Sequence, residues 1–158
     1  MITDSVRSFF EVLPSRGRLL GLDLGSKTVG LSLSDLTRQI ATPMDTIRRI
    51  KYSLDAAKIQ KICNEQLIKG LVIGLPKNMD GSEGKACQVS REFSRLFFKS
   101  YGLPTLLWDE RLSTVAVTKT MVEADLSRKR QAKIVDKMAS AYILQGALDA
   151  IESQRNAS

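Results

Sequence analysis

The sequence predicts an α/β domain in which a three-strand meander leads into alternating helices and strands. Three observations carry this. Arg18–Leu24 (RLLGLDL) and Thr28–Ser34 (TVGLSLS) are strand-like runs separated by the small turn Gly25-Ser26-Lys27. Gly70–Leu75 (GLVIGL) is continuously apolar, the pattern of a strand buried on both faces. Beyond residue 52, segments with helical spacing alternate with short apolar runs, which argues for a parallel half-sheet covered by helices.

The elements follow in order. Ser5, Phe9, Val12 and Leu13 suggest a short amphipathic helix ending near Pro14, in an N-terminal extension over residues 1–17. The domain proper is expected over residues 18–153, with a frayed tail at 154–158. Its first strand is Arg18–Leu24. The second, Thr28–Ser34, alternates Val29, Leu31 and Leu33 against Gly30, Ser32 and Ser34. A third strand falls in Ala41–Ile50, with Pro43 near its start. Ser53–Gln66 is expected as a helix, with Ser53 as its cap and Ala56, Ile59, Ile62 and Cys63 as its apolar stripe. The run Gly70–Leu75 is the fourth strand, and a loop with a turn at Asp80-Gly81 follows it. Lys85–Tyr101 is a helix stopped by Gly102. Pro104–Trp108 is the fifth strand, Ser113–Glu123 a helix, Ser127–Lys133 a basic loop, and Ile134–Glu152 a long final helix.

Composition narrows the function classes. At 158 residues, with 43% hydrophobic and 26% charged residues, the chain is one domain with a real core, not a disordered segment. A formal charge of +7 fits a phosphate-bearing partner. The N-terminus carries Asp4, Arg7 and Glu11 and no long apolar core, so no signal peptide or membrane span is expected and the cytoplasm is the expected location. Cys63 and Cys87 match no metal-binding spacing and are expected as buried free thiols. There is no histidine, so acid–base or metal chemistry must rest on carboxylates.

Four carboxylates stand out by position. Asp23 lies inside an apolar strand, where a lone charge is costly unless paired. Asp109 and Glu110 follow the fifth strand, and Asp136 falls at the start of the final helix. Sites in open α/β sheets lie outside the carboxyl ends of the strands, which puts Asp23 and Glu110 near one rim. An all-oxygen cluster of this kind suits Mg²⁺ or Mn²⁺ and the hydrolysis of a phosphodiester. Each acid has a plainer reading. Asp136 could complement the helix dipole, Glu110 could pair with Arg111 or Arg91, and the turn after Asp23 could be a simple hairpin turn.

The blocks GLDLGSKTVGLSLSD, VIGLPKNMDGSEG, WDERLST and VDKMASAYILQ occur in this order across most of the chain. Together they resemble the YqgF (RuvX) family of small bacterial proteins. Its members have a ribonuclease H-like fold and are proposed to be Holliday junction resolvases, or nucleases that process the 5′ end of the 16S rRNA precursor. The resemblance implies a mixed five-stranded sheet with helices on both faces. It also implies that the catalytic acids are Asp23, Glu110 and Asp136. Ser140 stands where the motif commonly has Ala, a tolerable change on a helix face.

On this footing the three acids are the expected metal ligands, with Mg²⁺ or Mn²⁺ as cofactor. Gly25, Ser26, Lys27, Asn78, Arg128, Lys129, Arg130 and Lys133 are the expected substrate contacts, the turn and loop through backbone amides and the cations through charge. Trp108 is expected in the core rather than as a stacking platform. The expected partner is nucleic acid, RNA before DNA, in the setting of the ribosomal small-subunit precursor, with the chain a monomer or weak dimer. Two other readings compete. A junction resolvase would use the same chemistry on branched DNA and would need a symmetric dimer. A nucleotide-binding module of the actin/hexokinase type shares the LDxGxxxxG turn at Asp23–Gly30 but needs two copies of the fold, and this chain has room for one.

Overall fold

The computed structural model describes residues 1–112 and 128–157, with the backbone alone over 128–136. Its elements are β1 (Ile2–Thr3), α1 (Val6–Val12), β2 (Arg18–Leu24), β3 (Thr28–Ser34), β4 (Ala41–Arg48), α2 (Tyr52–Glu65), β5 (Ile68–Leu75), α3 (Lys85–Tyr101), β6 (Thr105–Asp109), a 3₁₀ turn at Glu110–Leu112, and α4 (Arg128–Ala157). The expected helix at Ser113–Glu123 lies outside the described residues.

The six strands lie in the order β1-β6-β5-β2-β3-β4. β2 pairs antiparallel with β3, and β3 with β4, which is the expected meander. On the other side β2 pairs parallel with β5, and β5 with β6. β2 is therefore central and its residues are mostly buried on both faces. β4 is an edge strand, which is why it accommodates Pro43 beside a register shift at Leu31/Ser32. One strand was not expected. Ile2–Thr3 pairs in parallel with Thr105–Leu106, so the extension adds a sixth strand to the sheet. Two residues are too few to carry a periodic signal.

The two faces of the sheet carry separate cores. On one face Leu20, Leu22, Leu24, Val29 and Leu31 pack against α2 and α3 through Ile59, Cys63, Cys87, Phe93 and Phe97. On the other, Leu19, Val72, Leu106 and Trp108 pack against α1 and α4 through Phe9, Ile143, Leu144, Ala147 and Ile151. Trp108 is a core residue, as expected. Both cysteines are free and buried, and burial pushes the Cys63 thiol up to about 12.

The helix ends differ from expectation in instructive ways. The cap of α2 is Lys51, with no side-chain hydrogen bond, so Ser53 is not a cap but lies within the first turn. α3 ends as expected at Gly102, whose φ of 72° is the left-handed conformation glycine adopts without strain. The largest correction concerns α4. Residues 128–133, expected as a basic loop, are helical, and the helix runs on through Ala157 past the tail boundary expected at 154. The run RKRQAK consists of good helix formers without a breaker, and with Ala132 as its one apolar residue it lacks the apolar period that marks a helix.

Candidate nuclease site

The parallel strands β2, β5 and β6 end at one rim of the sheet. Asp23 lies near the end of β2 and Glu110 opens the 3₁₀ turn directly after β6. Alternation places Asp23 on the same face as Leu19, the face that α4 covers. Glu110 reaches the same face. A Cβ built on Gly74 of β5 would lie 2.5 Å from Glu110 Oε1, 3.1 Å from its Cγ and 2.9 Å from Ile143 Cδ1. The Glu110 side chain thus lies back over Gly74, in space that only a glycine leaves open. Gly74 is the residue next in line to Asp23, one step beyond the Leu22–Ile73 pair. Adjacent strands are about 4.8 Å apart, so the two half-buried carboxylates share one end of one face.

Helix α4 is locked over this end by a buried hydroxyl pair. Ser140 Oγ donates to Gly21 O at 2.9 Å. A hydroxyl has one proton, so in the 2.9 Å contact between Ser140 Oγ and Ser32 Oγ it is Ser32 that donates. A Cβ on Gly21 would collide with Ser32 Oγ and lie 2.9 Å from Leu144 Cβ, so this glycine is what lets the helix approach. Ser140 is fully buried, and its place is more than a tolerable change on a helix face: it joins α4 to β2 and β3.

The helix runs opposite to β2, since Ser140 bonds Gly21 while Gln145, further along the helix, bonds Ala41 N, the partner of Ser34 beside Leu19. Asp136 stands one turn before Ser140, a rise of about 6 Å. Asp23 stands two residues beyond Gly21, an advance of about 6.6 Å along the strand. The backbone of Asp136 is thereby carried to the level of Asp23. Its side chain lies outside the described residues. The structure also corrects its expected place in the helix: it stands eight residues after Arg128, and the first turn of α4 holds no acidic residue. It therefore cannot act by complementing the helix N-terminus. Among the described residues no three ligand-type side chains converge. The Asp23–Glu110 pair nevertheless offers a hard, all-oxygen donor set suited to Mg²⁺ or Mn²⁺.

Arg91 and Arg111, the two cations weighed beside Glu110, each hold a close ion pair with another carboxylate. Arg91 grips Glu83 with contacts of 2.6 and 2.7 Å. Arg111 is forked on Asp109, with Nη2 at 2.7 Å from Oδ2 and Nε at 3.1 Å from both oxygens. The Arg111 guanidinium holds the Asp109 carboxyl below the ordinary carboxylate range. Asp109 is thus a structural partner of Arg111.

The expected substrate contacts divide. Gly25 N donates to Thr28 O at 2.8 Å and closes the hairpin. Its amide is spent on the turn, which weakens the reading of this segment as a nucleotide cradle. Ser26 and Lys27 are exposed at the turn. Asn78 is used within its own loop: its amide N donates to Ser82 O, and its Nδ2 to Ser82 Oγ, both at 2.9 Å. The side chains of Arg128, Lys129, Arg130 and Lys133 lie outside the described residues, while their backbone is helical.

Two contacts that shape the rim, one from Arg49 and one from Arg111, were not expected from the sequence. Arg49 Nη1 donates to Gly25 O at 2.7 Å and Arg49 N to Lys27 O at 2.8 Å, tying the end of β4 to the hairpin that follows Asp23. Arg111 Nη1 donates to Met79 O at 3.2 Å and so joins the loop after β5 to the segment that carries Glu110. Their partners are backbone carbonyls, which have no sequence signature.

Comparison with known proteins gives the family and the fold. A family model described as "RuvX: Holliday junction resolvase" matches residues 17–150. A protein of Roseobacter denitrificans is 52% identical over 96% of this chain and 94% of its own length, and one of Rhodobacter capsulatus is 55% identical over 94% of each; both carry the name "Putative pre-16S rRNA nuclease". Among solved structures, Thermus thermophilus RuvC in complex with a Holliday junction substrate aligns with a TM-score of 0.56 at 11% identity, over 90% of this chain and 98% of that one. The yeast mitochondrial Holliday junction resolvase Ydc2 aligns with a TM-score of 0.50 at 11% identity, over 96% of this chain and 86% of that one. These two likenesses establish the fold as ribonuclease H-like, with six strands where five were expected. From sequence and fold together, the chain belongs to the RuvX (YqgF) family and is a nuclease, a hydrolase of phosphodiester bonds in nucleic acid.

Proposed function

We propose that this nuclease cuts RNA and trims the 5′ end of the 16S rRNA precursor, with Asp23, Glu110 and Asp136 as the acids of a divalent-metal site. The observation that carries the reading is the convergence of Asp23 and Glu110 on one face of the rim, with Gly74 making room for the second. The relatives' names supply the substrate class. Mg²⁺ or Mn²⁺ bound to these oxygens would stabilise charge on the phosphate and lower the pKa of water at the site.

The chain's own residues do the rest. Asp23 is held by the central strand, Glu110 by the 3₁₀ turn, and Asp136 by a helix whose position the Ser140–Ser32 pair sets. Lys27 at the hairpin tip and the basic start of α4 draw the phosphate backbone toward the rim. A single strand reaches so shallow a rim more readily than a four-way duplex does, and a lone domain can make a single cut.

The test is cleavage of single-stranded RNA, duplex RNA and a four-way DNA junction, side by side with Mg²⁺ and with Mn²⁺. Cutting of the RNA is expected, and in cells depleted of the protein the 5′ end of the small-subunit rRNA precursor should lengthen. Cleavage confined to the junction, with normal rRNA ends, would establish the resolvase reading in its place.

A further inference from the structure

We propose that Met79 is a substrate-contacting residue that packs against an unstacked base of the strand lying across the carboxylate rim. The inference rests on the reading of this rim as a binding surface for single-stranded nucleic acid.

Met79 is 90% exposed, more than any other large apolar residue among those described. It is not loosely placed. Gly81 N donates to Asn78 O, and Asn78 N to Ser82 O, both at 2.9 Å. Ser82 N donates to Asp80 Oδ1 at 2.9 Å, and Arg111 Nη1 reaches the Met79 carbonyl itself at 3.2 Å. The backbone of Met79 is pinned on both sides, so the loop fixes the direction in which its Cβ leaves the chain. What sets Met79 apart is its place: a built loop, not a loose end, presents it beside the segment that bears Glu110.

The position says what the side chain would meet. The clamp that holds Met79 is Arg111, the residue directly after Glu110. Leu112, two residues after Glu110, is also 67% exposed. The loop that presents Met79 is therefore tied to the segment that carries Glu110. A strand whose phosphate lies at Glu110 brings its neighbouring bases to this loop. Methionine suits the task, because an unbranched, polarizable thioether conforms to the face of any base. Such a contact holds the strand without reading its sequence and neutralises no phosphate.

The test uses the full chain carrying Glu110→Gln, so that a bound strand is not cut. Against a single-stranded RNA, adding Met79→Ala should weaken binding by about three- to tenfold, and Met79→Phe should restore it. The slope of log affinity against log salt should stay unchanged, since the same number of counterions is released. On a strand of equal length lacking bases near its centre, the proteins with and without Met79→Ala should bind alike. Equal affinity of the two for the normal strand would overturn the proposal and leave the loop to a protein partner. A difference that persists on the base-free strand would overturn it in favour of a backbone contact. Failure of the protein that retains Met79 to bind any strand would overturn the nucleic-acid reading itself.

Discussion

At the scale of residues, the proposed site makes activity a matter of charge and space at the rim. Asp23→Asn keeps the size of the side chain and removes the charge that draws a divalent cation. Cleavage should fall by several orders of magnitude, as it should in Glu110→Gln, with Asp136→Asn reduced to a lesser degree. Circular dichroism and thermal melting should be little changed, and full activity in Asp23→Asn would remove it from the mechanism. Gly74→Ala makes the same point through space. The added methyl would meet Glu110 Oε1 at 2.5 Å, so either the carboxylate or Ile143 must shift. Activity should fall far more than the melting temperature does. A loss of stability with unaltered turnover would show that Glu110 can relocate freely.

A residue far from the rim contributes to the response to acid. Burial pushes the Asp35 carboxyl up, but hydrogen bonds from the Thr37 hydroxyl and from the amides of Ile40, Gln39 and Thr37 outweigh it, and the group is held down at about 2. Its ordinary value is 3.8, so the folded state binds this proton less readily than the unfolded chain. The stabilisation is therefore complete above pH 3.8 and is lost as pH falls through about 2. Asp35→Asn should flatten the acid side of the stability profile, measured by urea unfolding between pH 2 and 5. An unaltered profile would place the acid sensitivity elsewhere.

At the scale of elements, the proposed function makes α4 the link between binding and catalysis. One helix carries Arg128, Lys129, Arg130 and Lys133 near its start, then Asp136, then the buried Ser140 that docks it on the sheet. Replacing Arg128, Lys129 and Arg130 with Ala should weaken RNA binding across all sequences. Each phosphate left without its cation should flatten the dependence of log affinity on log salt by about one unit or less. An unchanged salt slope would mean that these residues only solvate the helix. The helical form of this run was hidden because Ala132 is its one apolar residue. Helix propensity was present there, but the period that normally reveals a helix was not.

At the scale of the whole molecule, the N-terminal segment is part of the fold. β1 extends the sheet beside β6, and Phe9 of α1 is fully buried in the cluster under α4. Phe9→Ala should cost about 3–5 kcal/mol and lower the melting temperature accordingly. Because Phe9 packs with Ile143 and Leu144 of the helix that bears Asp136, activity at moderate temperature should fall with it. A melting temperature within a degree or two of the parent would show the segment to be an ornament.

The sequence by itself determined the meander, the buried strand Gly70–Leu75, the α3 helix with its glycine stop, and the candidate acids. Each of these is encoded in a short window, by alternation, continuous apolarity or a turn residue, and needs no distant partner. The tertiary structure alone decided the rest. It paired Ile2–Thr3 with a strand about a hundred residues away, laid Glu110 over Gly74, and set Arg111 between Asp109 and the Met79 carbonyl. These depend on which backbone groups and empty volumes meet when the layers pack. A glycine that yields space and a carbonyl that accepts a bond leave no mark in the local pattern of side chains.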